Sequence, residues 1–442
     1  MTGLPYILRP GSLPNMPDRL AVHVAAIRDL FPALHRSMQG RSVVYFDGPA
    51  GTQVPETVIE AIGDYLRRRN ANHGGVFATS RESDAMLHEV HRAAADLLGA
   101  SDGECVAFGP NMTTLTFHFS RALSRTWSAG DEIIVTRLDH DANVRPWVLA
   151  AADRRVDVRW IDVNPDDCTL DWSTFERALT PRTRLVAVGM ASNAVGTVNP
   201  VERIVSAAHR VGAEVFVDAV HWAPHRSIDV EAIGCDYLVC SAYKFFGPHI
   251  GMLWGRRERM EALPAYKLRP VPDTIPDRWM TGTQNHESLA GVLAAIDYLA
   301  ELGRRVAESP DAPRRTALLA AYEAISAYET ALCQRLIDGL QSIKELRVWG
   351  ITDRARAAER LPTVAVTHDH LTPRQLAERL GQAGIFAWHG NYYAVELTSR
   401  LGLEPDGMLR LGIAHYNTVD EVEYVVDTLR RIERRDRSGS VR

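Results

Sequence analysis

Cysteine is scarce in this chain: five in 442 residues, at Cys105, Cys168, Cys235, Cys240 and Cys333. Thiols so few and so scattered make neither a disulfide framework nor a tetrahedral zinc set. Long apolar runs are missing too, and none approaches the roughly 18 residues of a membrane span. The opening MTGLPYILRPGSLPNMP holds four prolines and no apolar core, so it is not read as a secretion signal. Positive charge is not in excess. A net charge of −5 and an isoelectric point near 6.4 argue against a nucleic-acid footprint. The glycine motifs that cradle a nucleotide are absent. In HWAPH, Pro224 interrupts the helix a zinc motif needs and no glutamate follows His221. THDHL, from His368 to His370, reads as an exposed turn, and no metal is expected. These absences leave a reduced, soluble, cytoplasmic enzyme-sized chain with no nucleic-acid or membrane partner.

What is present is alternation. Between residues 43 and 255, short apolar runs (VVYFD, ECVAFG, DEIIVT, VDVRWID, RLVAVGM, EVFVDAV, YLVCSA, IGMLWG) are separated by amphipathic stretches such as PVERIVSAAHRVG. Apolar strands of this kind imply an α/β fold whose mostly parallel sheet is covered on both faces. A helix over 287–303 runs into the polar RRVAESPDAPRR, read as a linker. Beyond it, a long helix near 315–344, LPTVAVTHD, TPRQLAERLGQAG, IFAWHG, MLRLGIAHYN and a helix from Val419 suit a smaller α/β domain. The expected layout is an N-terminal segment at 1–40 packed on the small domain, a large domain at 41–300 and a small domain at 301–442.

In parallel sheets, ligands sit outside the carboxyl ends of the strands. ECVAFG leads to PNMTT at a helix start, DEIIVTRLD to His140, RLVAVGMAS to Asn193, EVFVD ends in Asp218, and YLVCSAY in Lys244. Desolvation lowers the pKa of a lysine among apolar neighbours and makes its amine a nucleophile toward carbonyls. An aspartate closing a buried strand can keep a ring nitrogen protonated, and helix-start amides hold a phosphate. Pyridoxal phosphate needs all three.

The segment VFVDAVHWAPHRSIDVEAIGCDYLVCSAYKFFGPHIGMLWG resembles the signature region of class V, fold type I pyridoxal-phosphate enzymes. That family includes cysteine desulfurases, selenocysteine lyases, kynureninases and isopenicillin N epimerases, and the desulfurase-like members resemble this chain most. The likeness runs from VVYFDGPAGTQVPETV to LRLGIAHYNTVDEVEYVVDTL. It implies that Lys244 links to the cofactor, Asp218 holds the pyridine nitrogen and His140 stacks on the ring. Asn193 and His221 match residues near the ring hydroxyl, although glutamine is commoner at the second. Met112, Thr113, Ser241 and Tyr243 match the phosphate cup, where histidine is usual at Tyr243. Thr283 in TGTQN matches a residue that reaches the partner subunit's cofactor, which implies a homodimer. Arg410 matches the arginine that clamps a substrate carboxylate.

One motif departs from the desulfurases. Where they carry a cysteine, FAWHGNYYAVEL has Tyr393, and Trp388 replaces an arginine. A thiolate is required to form a persulfide. The expectation is therefore a lyase acting on a C–S (Cβ–X) bond of a small L-amino acid, with Tyr393 or His389 as the acid for the leaving group. A class V aminotransferase or amino-acid epimerase is the alternative.

Overall fold

A computed structural model describes residues 19–439. Seven of the apolar runs form one sheet: β1 (Val106–Gly109), β2 (Glu132–Thr136), β3 (Asp157–Ile161), β4 (Thr183–Gly189), β5 (Glu214–Asp218), β6 (Tyr237–Ser241) and β7 (Gly251–Gly255). Their order is β1–β7–β6–β5–β4–β2–β3. β7 runs antiparallel to β1 and β6, and the other neighbours are parallel. Every residue of β2, β6 and β7 is buried, without alternation, because both faces of the sheet are covered.

The C-terminal unit holds β8 (Leu346–Trp349), β9 (Thr363–His368), β10 (Trp388–Gly390) and β11 (Met408–Gly412), antiparallel in the order β8–β9–β11–β10. Two expectations change here. VVYFD shrinks to the two-residue strand Val44–Tyr45, which pairs with Ile385–Phe386 instead of joining the large sheet. IFAWHG divides between that pair and β10, since Ala387 interrupts it.

Four helices matter for the site: α1 (Met112–Leu123), α2 (His286–Val306), α3 (Arg314–Gln341) and α4 (Val419–Gly439). The polar stretch between α2 and α3 is a pinned turn instead of an open linker. Arg314 meets Asp297 at 2.9 Å and Asp96 at 3.1 Å, so its charge is held where the turn ends. The 28-residue α3 then spans both units: the Tyr322 hydroxyl donates to Ala223 O at 2.8 Å, and Gly339 abuts Val426 of α4. Near the N-terminus, Arg28 pairs with Glu421 at 2.9 Å, while Phe31 packs edge-on against Phe246, Tyr298 and Tyr416. The segment thus touches both units. Among the described residues, no helix is long and apolar enough to cross a membrane, and no three His, Cys, Asp or Glu gather as a metal site.

Candidate active site

The strand ends converge as their order requires. β6 closes on Ser241, and a single turn, Ala242–Lys244, carries the lysine back over the sheet edge. Lys244 is 9% exposed, and its ammonium nitrogen donates to Pro49 O. Its pKa is lowered to about 7, mainly by burial and then by the charge of Arg410, with Asp218 partly offsetting both. Asp218 ends β5 and accepts from the Val220 amide at 2.8 Å; burial raises its carboxyl to about 6.

His140 follows β2. Its Nδ1 accepts from the Ala142 amide at 3.0 Å, which fixes the proton of the neutral ring on Nε2. Burial, then the charges of Lys244 and Arg410, depress its pKa to about 4. The neighbouring Asp139 was passed over in the sequence, though DHDAN places a carboxyl directly beside the histidine. It accepts from the Gly189 amide at 2.9 and 3.0 Å and from Asn143 Nδ2 at 2.9 Å. Burial and the charge of Asp218 push it to about 7.

At the edge nearest α1, the Asn111 side chain caps the helix by accepting from Thr114 N at 2.8 Å, and Met112 N donates to Ser241 Oγ at 3.1 Å. Thr113 is exposed at this start. The approach requires Gly251: a Cβ there would lie 2.4 Å from Asn111 C and 2.6 Å from Met112 N. A helix start attracts anions through its free amides and its dipole. The Tyr243 ring stacks on His249, 4.9 Å away and 11° from parallel.

The small unit brings Arg410 from β11. It is 4% exposed, donates to Asn193 O at 2.8 Å and lies 4.1 Å from the centre of the Tyr392 ring. Burial lowers its pKa to about 10, so it remains charged at neutral pH. Asn193 donates to Tyr392 O at 2.9 Å, and its buried Oδ1 has no partner among the described residues. His221 contacts Thr363 Oγ1 at 3.0 Å, a bond across the two units, and burial holds its pKa well down. Asp47, another carboxyl the sequence reading missed, is raised to about 6 by burial within the field of Arg410.

Three further expected residues are exposed. His389 is exposed and pairs with Leu409, whereas Trp388 pairs with Arg410. Strand alternation therefore puts His389 on the face of the small sheet opposite Arg410, away from the cluster. Tyr393 is 73% exposed, with its ring on His140 at 5.4 Å and 29°. Thr283 is exposed in the turn before α2.

These residues fit pyridoxal phosphate. A buried amine, a carboxyl held beside it, a capped helix start and an orphaned amide oxygen match its aldehyde, ring nitrogen, phosphate and ring hydroxyl in turn. Sheet order, lysine turn and overhanging arginine define a fold type I α/β enzyme. The protein-family model for Aminotransferase class-V matches residues 44–425. The chain belongs to that family, whose members depend on pyridoxal phosphate, and within it to the cysteine desulfurase-like group. It is 32% identical over 419 residues to the aminotransferase-like protein FGM3 of Gibberella zeae, covering 92% of this chain and 97% of that one. A cysteine desulfurase of Klebsiella pneumoniae subsp. pneumoniae is 31% identical over 430 residues, 93% of this chain and 98% of its own. Among solved structures, cysteine desulfurase CsdA from Escherichia coli superposes with TM-score 0.78 at 26% identity, covering 92% and 98% of the two chains. The apo cysteine desulfurase of Thermococcus onnurineus NA1 gives 0.81 at 24% identity, over 92% and 97%.

Proposed function

We propose that this protein is a pyridoxal-phosphate-dependent lyase that breaks a C–S (Cβ–X) bond of a small L-amino acid, such as cysteine or an S-substituted cysteine, without a protein persulfide. The burial of the thiols carries this reading. All five cysteines are buried, and Cys105 and Cys168 are pushed to about 11 by that burial. A sulfur acceptor must be an accessible thiolate. The loop Gly390–Ala394 offers tyrosines instead.

Bound pyridoxal phosphate supplies an electron sink for the charge left when a proton departs from Cα. The chain supplies the rest. Lys244 ties the cofactor down and, with its pKa near neutrality, takes the Cα proton. Asp218 holds the proton on the ring nitrogen. Met112, Thr113, Ser241 and Tyr243 would hold the phosphate, and Asn193 and His221 would lie by the ring hydroxyl. Arg410 grips the substrate carboxylate with two parallel N–H bonds and orients Cα toward Lys244. The enzyme acts as a homodimer in which Thr283 reaches the partner's cofactor. Val76, Phe77, Tyr266 and Leu268 are left exposed, at 85%, 57%, 48% and 65%, the kind of apolar surface a partner subunit would cover.

An aminotransferase or epimerase would share these groups, and the likeness to an aminotransferase-like protein keeps that reading in play. Products decide. With L-cysteine and an S-alkyl cysteine, the lyase gives pyruvate, ammonia and free sulfide or thiol. Alanine with sulfur on a cysteine overturns the reading. A D-amino acid, or a keto acid keeping its side chain, moves it to the alternative.

A further inference from the structure

Tyr392 and Tyr393 both adopt the left-handed backbone, at φ 56° and 59°. Two consecutive side-chain-bearing residues in that region are disfavoured and persist where their surroundings over-determine them. Here the surroundings do. Tyr393 O accepts from the Asp141 amide at 2.7 Å, and Tyr392 O accepts from Asn193 Nδ2 at 2.9 Å, so each tyrosine's carbonyl is bound by the large unit. Asn391 Oδ1 receives the Tyr393 amide at 3.1 Å, and the Tyr392 hydroxyl is spent on Met408 O. The result of this fixed backbone is the placement of one ring. Tyr393 stacks on the half-buried His140, 5.4 Å away and 29° from parallel, although most of the tyrosine faces solvent.

We infer that Tyr393 is a positioning residue: its ring caps the solvent side of His140 and fixes the plane of the imidazole, and its hydroxyl does no chemistry. Tyr392 and Tyr393 together form a strap that fastens the small unit to the loops carrying Asn193 and His140. Lys244 and Arg410 face His140 from other elements, and Asp139, Asp141 and Asn143 flank it on its own loop. The use of a capped His140 to stack on the cofactor ring rests on the resemblance and the proposed function above, whereas the cap itself is a property of the chain without cofactor.

The test is therefore made on the apoprotein. Diethyl pyrocarbonate acylates accessible neutral imidazoles, and peptide mapping gives the rate at His140 alone. Tyr393→Asn removes the ring but suits a left-handed backbone; it is expected to speed acylation of His140 at least tenfold. Its titration, held at about 4 in the native chain, should move toward the ordinary histidine range. Tyr393→Phe keeps the ring and is expected to match the native rate, and Tyr393→Gly should behave as Tyr393→Asn. An unchanged His140 rate in Tyr393→Asn overturns the cap. So does a Tyr393→Phe holoenzyme whose kcat falls a hundredfold while His140 reactivity stays native, since the hydroxyl is then the acid. Failure of the lyase reading appears in the product assay and leaves these apoprotein rates untouched.

Discussion

An ammonium at Lys244 works against the fold that houses it. Its folded pKa of about 7 lies below the ordinary lysine value, so the unfolded chain binds the extra proton and the folded one does not. The stability this costs is fully lost below pH 7 and is restored as pH rises past the unfolded value near 10.4. Lys244→Met in the apoprotein should therefore stabilise it, by on the order of a few kcal/mol at pH 6, with the gain shrinking toward pH 10. Urea unfolding at the two pH values measures this, and a destabilised variant would mean that the bond to Pro49 O outweighs burial. The placement of Asp218 and Lys244 was legible in the sequence, because one ends a buried strand and the other follows one within a single turn, at the sheet edge where ligands sit. Asp139 was not, because its raised pKa depends on Asp218, which lies 79 positions away along the chain and becomes a neighbour only in the folded sheet. His389 was misjudged for the complementary reason: sequence proximity to Tyr393 does not say which face of β10 a side chain takes.

At the scale of elements, the meeting of β7 with the start of α1 shapes the proposed phosphate end. Both atoms that a Cβ at Gly251 would strike are backbone, so no side chain can rotate out of the way. Gly251→Ala should cost about 1–3 kcal/mol as an overpacked contact and weaken cofactor binding at least tenfold by pulling Met112 N from Ser241. A fluorescence titration with pyridoxal phosphate reads the second effect; native affinity would show that the helix start is not the phosphate site. The alternation of strands and helices made the large sheet readable, since strand length and burial both leave local patterns. The two-residue pairing of Val44–Tyr45 with Ile385–Phe386 leaves none. It joins residues that the chain separates by most of its length, and only the packed core selects that partner.

For the whole molecule, the proposed sharing of the site between subunits makes a specific demand. Lys244→Ala and Thr283→Ala should each be nearly inactive alone. Mixed under conditions that allow exchange, they should recover about a quarter of native activity at most, because one site in each heterodimer then holds both native residues. A chain that sediments as a monomer at full activity contradicts this. The burial of every thiol has a consequence of another kind. An aromatic disulfide reagent should find nothing to react with in the native protein, yet release five equivalents of chromophore once the chain is denatured. Between those limits, labelling proceeds only as fast as the molecule opens, and at high reagent concentration its rate is the opening rate itself. Cys168 packs in the same cluster as Tyr392, whereas Cys240 lies within β6, so mass spectrometry of partly labelled protein times the seam and the central sheet separately. The protein thus carries its own clock for breathing, with no engineered probe required.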